Sequence, residues 1–164
     1  MQVLWAPWRG AYVSGPKTSG CIFCTARDTS EPRQHLVLAR APVIVMLNKF
    51  PYGSGHLMVA PRRHTADFAA MPTDELHTLM EIVQRAADIL IATFAPNGMN
   101  IGINLGAAGG AGITDHLHWH LVPRWTGDTN FMPLFTETRV ISEHLAATYD
   151  KLHPLFAAFD SPSP

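Results

Sequence analysis

The sequence predicts an α+β domain whose sheet is mainly antiparallel. Three short segments rich in branched residues precede the first long amphipathic segment, and two further strand patterns separate that segment from a second helical one. The 164 residues are 47% hydrophobic and 15% charged, which is typical of one packed globular domain. We therefore predict a single domain over residues 1–164, with about five strands and two helices.

The N-terminal half begins irregularly and then forms a meander. Residues 1–20 are rich in glycine, proline and tryptophan, which predicts an irregular arm with aromatic anchors. Branched residues predict strands at 35–40, 43–48 and 56–61, and the stretch KFPYGSG between the last two predicts a turn. These three strands are expected to pair as an antiparallel meander.

A long amphipathic helix is predicted over residues 73–94. Thr73 is a suitable N-cap, apolar residues recur at spacings of three and four, and Pro96 with Gly98 ends the pattern. Strands are predicted at residues 99–106 and 116–122. A second helix is predicted at 142–159, and a flexible C-terminal tail at 160–164.

The stretch HLHWHLV, residues 116–122, places three histidines at alternate positions with apolar residues between them. Successive side chains of a strand point to opposite faces, so His116, His118 and His120 are expected to share one face. In a helix the middle histidine would point away from the other two. An imidazole can act as nucleophile, acid, base or metal ligand, so this row predicts chemistry on an anionic centre.

The stretch GAAGGAGITD, residues 106–115, leads into the histidine row. It contains four glycines and no lysine, so it is not a Walker A loop. Its main-chain N–H groups are placed to approach phosphate oxygens, although the segment also fits a loose turn. Arg124, just after the row, offers a fixed positive charge or is an ordinary surface side chain.

The histidine row suits a two-step displacement at an α-phosphorus. His118, flanked on its own face by two further donors, is predicted to attack and form a phosphoramidate. Its other ring nitrogen must then be held by an acceptor that fixes the tautomer. His120 is predicted to stabilise charge on a phosphate oxygen or on the leaving group.

Cys21 and Cys24 have the spacing of two zinc ligands. A Cys-x-x-Cys pair needs two more ligands, and His64 and His116 are the candidates. Such a site would tie the N-terminal arm to the sheet and would give His116 a structural role. The alternative is a pair of free thiols with His64 on the surface.

Charge and hydropathy exclude several classes of partner. A net charge of −1 argues against sequence-independent binding to long nucleic acids, whereas a small anionic ligand is compatible with it. No apolar run reaches the ~18 residues of a membrane span, and the N-terminus lacks the pattern of a signal peptide. Two cysteines do not make a disulfide scaffold. We expect a cytoplasmic protein without a membrane partner or an organic cofactor.

The stretch HLHWHLV resembles the His-x-His-x-His-x-x signature of the histidine triad (HIT) family, in which x is hydrophobic. The resemblance extends over most of the chain and is strongest to the branch that holds bacterial diadenosine tetraphosphate phosphorylases and hydrolases. The further matching segments are LWAPWR, CIFC, LNKFPYGSGHLMVAP, NIGINLG and PRWTGDTNFMP.

The resemblance implies a nucleotidyl transferase or hydrolase in which His118 becomes covalently adenylylated. It implies that Asn48 binds the ribose hydroxyls, that His56 supports the triad from behind, and that Asn104 contacts phosphate or the leaving group. It also implies structural zinc on the ligands Cys21, Cys24, His64 and His116. The family fold dimerises into one continuous sheet, so a homodimer, or a tetramer built from it, is expected.

One segment departs from the family pattern. Many members carry Gln or Ser in the glycine-rich turn to contact the phosphate or leaving group. Here the turn offers only Thr114 and Asp115 as polar side chains. Main-chain amides, that of Gly112 above all, are the expected substitutes.

Three functions are compatible with these residues. The first is cleavage of diadenosine tetraphosphate or related dinucleoside polyphosphates, by water to AMP and ATP or by phosphate to ADP and ATP. The second is an adenosine phosphoramidase of the same family. The third, from another class, is a nucleotide-binding protein without useful turnover. The long segment after the triad favours the first, because the phosphoramidase branch typically ends sooner.

Overall fold

The computed structural model describes residues 20–128 and 143–160, so the predicted N-terminal arm, apart from Gly20, and the tail beyond Asp160 lie outside the described residues. A five-stranded antiparallel sheet forms the centre, in the order β1-β2-β3-β5-β4. The α+β prediction and the number of strands are confirmed. The strands are β1 (Val37–Ala39), β2 (Ile44–Leu47), β3 (Leu57–Ala60), β4 (Gly98–Ile103) and β5 (Trp119–Arg124).

Within residues 20–128 and 143–160, three helices accompany the sheet, one more than predicted. They are α1 (Ile22–Asp28), α2 (Thr73–Phe94) and α3 (Leu145–Phe156), and a 3₁₀ turn, Ala157–Phe159, continues α3. Seven residues are too few to show a helical period, which is why α1 escaped prediction. The second predicted helix starts later than expected, because the His144 side chain caps it by accepting the N–H of Ala146.

The long helix α2 has the predicted bounds but a different cap. Pro72, in extended conformation, occupies the N-cap position, and Thr73 is the first helical residue. The helix ends at Ala95, whose left-handed conformation lets its N–H reach the carbonyl of Ile91. In the described part of the chain, no helix is both long enough and apolar enough to cross a bilayer.

The sheet buries its two faces in different ways. Helices α2 and α3 cover one face, and the main core lies between these helices and the sheet. The strands contribute Leu47, Leu57, Val59 and Leu121 to this core, and the helices contribute Leu79, Leu90, Leu152 and Phe156. The short helix α1 covers only part of the other face, where Phe23 and Ala26 pack on Ile44, Met46, Met58 and Ala60. The part of this second face beyond α1 is available for a site.

The histidine row straddles the start of β5. Leu117, Trp119 and Leu121 belong to the main core, so the predicted alternation of faces is present. The ladder, however, begins only at Trp119, whose partners are Val59 and Ile103. It cannot extend further back, because β4 ends at Ile103 and β3 is followed by Pro61, which has no N–H. Residues 116–118 instead attach to a loop, where the N–H of Leu117 donates to the carbonyl of Thr65 at 2.7 Å.

Candidate active site

Four histidine rings lie on the α1 side of the sheet, just before β3 and along the segment that enters β5. His56, at the start of β3, is fully buried, and His116 and His118 are 1% and 3% exposed. His120 is half-buried, with its ring centroid 4.9 Å from that of His118 and 5.1 Å from that of His56. The structure therefore brings the three predicted triad residues and His56 into one contiguous row.

The ring of His118 is held in a single tautomer. Its Nδ1 lies 2.9 Å from the carbonyl oxygen of His116, and because a carbonyl can only accept, Nδ1 must carry the proton. Burial lowers the pKa of His118 below its ordinary value, more than the hydrogen bond to that carbonyl raises it. The ring is therefore neutral at pH 7, and its Nε2 presents a lone pair.

A chain of hydrogen bonds fixes the tautomer of His120. The main-chain N–H of Tyr52 donates to Nδ1 of His56 at 3.1 Å, so the proton of His56 must lie on Nε2. That Nε2 is 2.9 Å from Nδ1 of His120, which must then accept. The proton of His120 consequently lies on Nε2, where it serves as a donor.

The electrostatics keep His120 neutral as well. Burial, and to a lesser degree the proximity of His118, lower the pKa of His120 to about 4. Two neutral rings thus stand side by side on one face, one with an accepting Nε2 and the other with a donating Nε2–H. This pair can supply a nucleophile to phosphorus and a hydrogen bond to an oxygen on the same phosphorus or on its leaving group.

His116 faces a different set of partners. Its Nε2–H donates to the carbonyl of Pro61 at 2.9 Å, which leaves the lone pair on Nδ1. Nδ1 lies 3.1 Å from Sγ of Cys21, 3.9 Å from Sγ of Cys24 and 3.2 Å from Nδ1 of His64. Both ring nitrogens are therefore engaged away from the pair formed by His118 and His120.

The donor set around His116 suits zinc. The four ligand atoms of Cys21, Cys24, His64 and His116 all lie within 4.8 Å of one another. Bonds of ~2.0 Å to nitrogen and ~2.3 Å to sulfur place tetrahedral ligands about 3.3–3.8 Å apart, which is close to the spacings found. The carbonyl of Pro61 fixes the His116 tautomer, and Asp115 Oδ2 lies 3.9 Å from Nε2 of His64.

Asn48 lies beside His56 on the histidine side of the sheet. Met46 and Met58 pair across β2 and β3 on the face of α1, and Asn48 and His56 lie two residues further along. The N–H of Asn48 donates to the carbonyl of His56 at 3.0 Å. Its side-chain Oδ1 accepts the N–H of Phe50 at 2.8 Å, which leaves its Nδ2 group able to donate towards a ligand.

Three further predicted residues lie in the glycine-rich turn or just before it. Asn104 lies two residues beyond Gly102, the partner of His120, and its Nδ2 donates to the carbonyl of Gly110 at 3.4 Å. Gly112 and Thr114 are exposed in the same turn. The structure thus places Asn104 on the histidine side of β4, and it presents the turn to solvent.

Arg124 is not brought to the triad. It lies four residues beyond His120, which is roughly 13 Å along a strand. Its Nε and Nη2 bind both carboxylate oxygens of Asp128, at 2.6 and 2.8 Å, and its Nη1 donates to Oδ1 of Asn100. A contact of Arg124 with substrate stays a prediction, and in the structure the guanidinium is held by Asp128 and Asn100.

Two aromatic residues that the sequence did not single out shape the site. The Phe23 ring lies 5.0 Å from the rings of both His116 and His118, and the Tyr52 ring stacks on His56 at 4.8 Å. Phe23 was recognisable in hindsight, because it sits between the two cysteines of CIFC. Tyr52 acts through its main-chain N–H, for which a sequence gives no signal.

Comparison with known proteins agrees with this geometry. The family model of the HIT domain matches residues 29–127. The chain is 34% identical over 158 residues to the AP-4-A phosphorylase of Mycobacterium tuberculosis, covering 90% of this chain and 80% of that protein. It is also 32% identical over 117 residues to an uncharacterised HIT-like protein of Saccharolobus solfataricus, covering 70% of this chain and 81% of that protein.

Solved structures show the same fold. A zinc-bound histidine triad family protein of Mycobacterium smegmatis superposes with a TM-score of 0.66 at 25% identity, covering 88% of this chain and 98% of that one. A hypothetical histidine triad nucleotide-binding protein of Sulfolobus tokodaii gives a TM-score of 0.63 at 23% identity, covering 83% of this chain and 89% of that one. The histidine row, the sheet order and the matched family model lead to one conclusion: the chain belongs to the histidine triad family.

Proposed function

We propose that this protein is a nucleotidyl transferase or hydrolase that cleaves dinucleoside polyphosphates, diadenosine tetraphosphate above all, through a covalent His118-AMP intermediate. The observation that carries the proposal is the pair of neutral rings, with the free Nε2 of His118 beside the Nε2–H of His120. The choice of substrate draws on the similarity to the mycobacterial AP-4-A phosphorylase. The whole chain, residues 1–164, is proposed to form a single HIT domain.

The first displacement forms a bond between His118 and the α-phosphorus. Nε2 of His118 supplies the electron pair, the phosphorus–oxygen bond to the departing ATP breaks, and ATP leaves with the electrons of that bond. The Nε2–H of His120 donates to the oxygen on which negative charge grows. The carbonyl of His116 stabilises the positive charge that develops on the His118 ring, because it accepts the Nδ1–H.

The second displacement transfers the adenylyl group from His118 to the acceptor. An oxygen of water or of inorganic phosphate attacks the phosphorus, the phosphorus–nitrogen bond breaks, and His118 regains its lone pair. Water gives AMP and phosphate gives ADP, each in addition to the ATP released first. The intermediate is common to both reactions, so the acceptor alone distinguishes a hydrolase from a phosphorylase.

The other site residues are proposed to bind the nucleotide. Asn48 is assigned to the ribose hydroxyls, since its Nδ2 group is available on the histidine side of the sheet. Asn104, the main-chain N–H of Gly112 and the Thr114 hydroxyl are assigned to the phosphates, since they lie in the turn that precedes the row. Their donors would substitute for the Gln or Ser of related proteins.

Zinc is proposed to bind the ligands Cys21, Cys24, His64 and His116. When bound, the ion would supply a structural crosslink, because four protein ligands leave no open coordination position for substrate. The residues themselves connect three separate segments, namely α1, the loop after β3 and the start of the histidine row. His116 would then serve catalysis through its main-chain carbonyl rather than its ring.

A homodimer with a continuous sheet is proposed to form through β4. This six-residue strand lies at the edge of the sheet, contains no charged residue, and leaves Ile101 47% exposed. Light scattering should give the mass of two chains, or of four, and Ile101→Lys should give single chains. Leu155→Lys, on an equally exposed position of α3, should leave the mass unchanged. A monomeric wild-type protein would contradict the proposal.

The function is tested by product analysis. The purified protein is incubated with diadenosine tetraphosphate, with and without inorganic phosphate, and the products are separated by ion-exchange chromatography. ADP plus ATP that appear only with phosphate identify a phosphorylase, whereas AMP plus ATP under both conditions identify a hydrolase. If neither reaction yields cleavage, the proposal fails, and AMP-amine substrates and nucleotide binding without turnover become the next tests.

A further inference from the structure

Three arginines surround a cavity that contains none of the triad or metal-ligand residues. The cavity has a volume of about 310 Å³ and is lined by Arg27, Arg40, Ala41, Arg62 and Asp160. Arg27 lies in α1, whereas Arg40 and Arg62 lie just beyond the ends of β1 and β3. Because β1 and β3 are both antiparallel to β2, the arginines converge from three separate elements at one end of the sheet.

Two of these guanidinium groups donate to main-chain carbonyl groups, and Arg62 also lies within electrostatic range of the Asp28 carboxylate. Arg40 is half-buried, and its Nη1 donates to the carbonyl of Thr29 at 3.0 Å. Arg62 directs its Nη1 to the carbonyl of Arg40. Within residues 20–128 and 143–160, neither arginine forms an ion pair, so carbonyl groups fix their positions without neutralising their charge. A half-buried cation held in this way favours an anionic ligand.

The third arginine is already paired and has a supporting role. Nε and Nη2 of Arg27 bind the two carboxylate oxygens of Asp28 at 2.8 and 2.7 Å, and its Nη1 donates to the carbonyl of Arg62 at 2.9 Å. Arg27 thus holds the backbone of Arg62 in place. Arg40 and Arg62 use Nη1 for the carbonyl groups of Thr29 and Arg40, and both side chains line the cavity.

The main chain beside the cavity already binds an anionic oxygen. The consecutive N–H groups of Arg40 and Ala41 both donate to Oδ1 of Asp160, at 2.6 and 2.8 Å. Successive N–H groups that converge on one oxygen form an anion-binding turn. With Asp28 and Asp160 counted against three arginines, the cluster keeps one positive charge in excess.

We propose that Arg40 and Arg62 form a second anion site, which binds a chain of at least two phosphoryl groups. Each guanidinium presents a planar pair of donors that matches the oxygens of one phosphoryl group, and two such pairs suit adjacent groups of a polyphosphate. The ligand is either a free inorganic polyphosphate or the phosphate tail of a nucleotide. The inference does not depend on the reaction proposed for the triad.

The site is tested by nuclear magnetic resonance on the wild-type protein. Side-chain Nε–Hε signals of Arg40 and Arg62, assigned with the R40K and R62K variants, are followed during titration with tripolyphosphate, ATP and AMP. Both signals should shift and saturate with tripolyphosphate or ATP. Shifts with tripolyphosphate identify a free polyphosphate as sufficient, and shifts with ATP alone identify a nucleotide tail. AMP, with one phosphoryl group, should bind at least tenfold more weakly.

Calorimetry on variants supplies the second readout. R62Q, at an exposed position, should weaken the binding of tripolyphosphate or ATP at this site at least tenfold. D160N should strengthen that binding, because a negative charge is removed. R33Q is the control, since Arg33 pairs with Asp150 away from the cavity. The proposal is overturned if the Arg40 and Arg62 signals do not move during the titration. It is also overturned if R62Q binds these ligands as tightly as the wild type and the R33Q control do.

Discussion

Replacing His118 by alanine is expected to abolish cleavage of diadenosine tetraphosphate while leaving nucleotide binding within a few-fold of the wild type. His118 forms the covalent intermediate, so its loss should lower kcat by at least ~10³-fold, because direct attack by water does not replace the imidazole nucleophile. His118 contributes its Nε2 to the reaction, and its ring lies against those of Phe23 and His120. Binding through Asn48, Asn104 and the glycine-rich turn should therefore persist.

The measurement pairs a cleavage assay with calorimetric binding of AMP. His77→Ala is the matched control, because His77 is exposed on α2 and takes no part in the row. The control should cleave at the wild-type rate. Turnover that survives in His118→Ala would remove His118 as the nucleophile, and loss of AMP binding with loss of turnover would leave only a binding role for this ring.

Replacing Cys24 by serine is expected to remove zinc and to lower the thermal stability of the protein. The proposed ligands connect α1 to His64 and to the histidine row, and residues 116–118 lie outside the ladder of β5. The crosslink therefore restrains segments that few main-chain hydrogen bonds hold. We expect the midpoint of unfolding to fall by ~5–10 °C, which corresponds to roughly 2–3 kcal/mol in a domain of this size.

Zinc content and unfolding are measured on the same preparations. The wild type should contain one zinc per chain and should lose the same stability when a chelator is added. Cys21→Ser should behave like Cys24→Ser, whereas His77→Ala should keep both its zinc and its midpoint. A wild-type protein that takes up no zinc on refolding with the ion would favour the alternative of two free thiols.

The architecture was predictable because its main signals are periodic. Segments rich in branched residues predict strands that are buried on both faces, and the apolar spacing over 73–94 predicts a helix with one buried face. The structure contains both. Features that no periodic pattern in the sequence marks were not predicted. The helix α1 is too short to repeat a pattern, and the start of β5 depends on where β3 and β4 end.

The candidate site was predictable where its chemistry depends on residue type and spacing. Alternation placed the three histidines on one face, and the Cys-x-x-Cys pair indicated a metal cluster that the structure assembles with His64 and His116. The partners of Arg124 were not predictable, because Asp128 reaches it through a turn whose conformation the sequence does not specify. The link from Tyr52 to His56 runs through a main-chain N–H, which every residue except proline has.

Transfer of AMP to His118 can be followed by mass spectrometry of the protein during a single turnover. Excess protein is mixed with diadenosine tetraphosphate in the absence of phosphate, quenched in alkali, where phosphoramidates persist, and digested. We expect a transient mass increase of one adenylyl group on the peptide that contains residues 116–122, located at His118. Cleavage without any adenylylated peptide, or with the label on another residue, would contradict it.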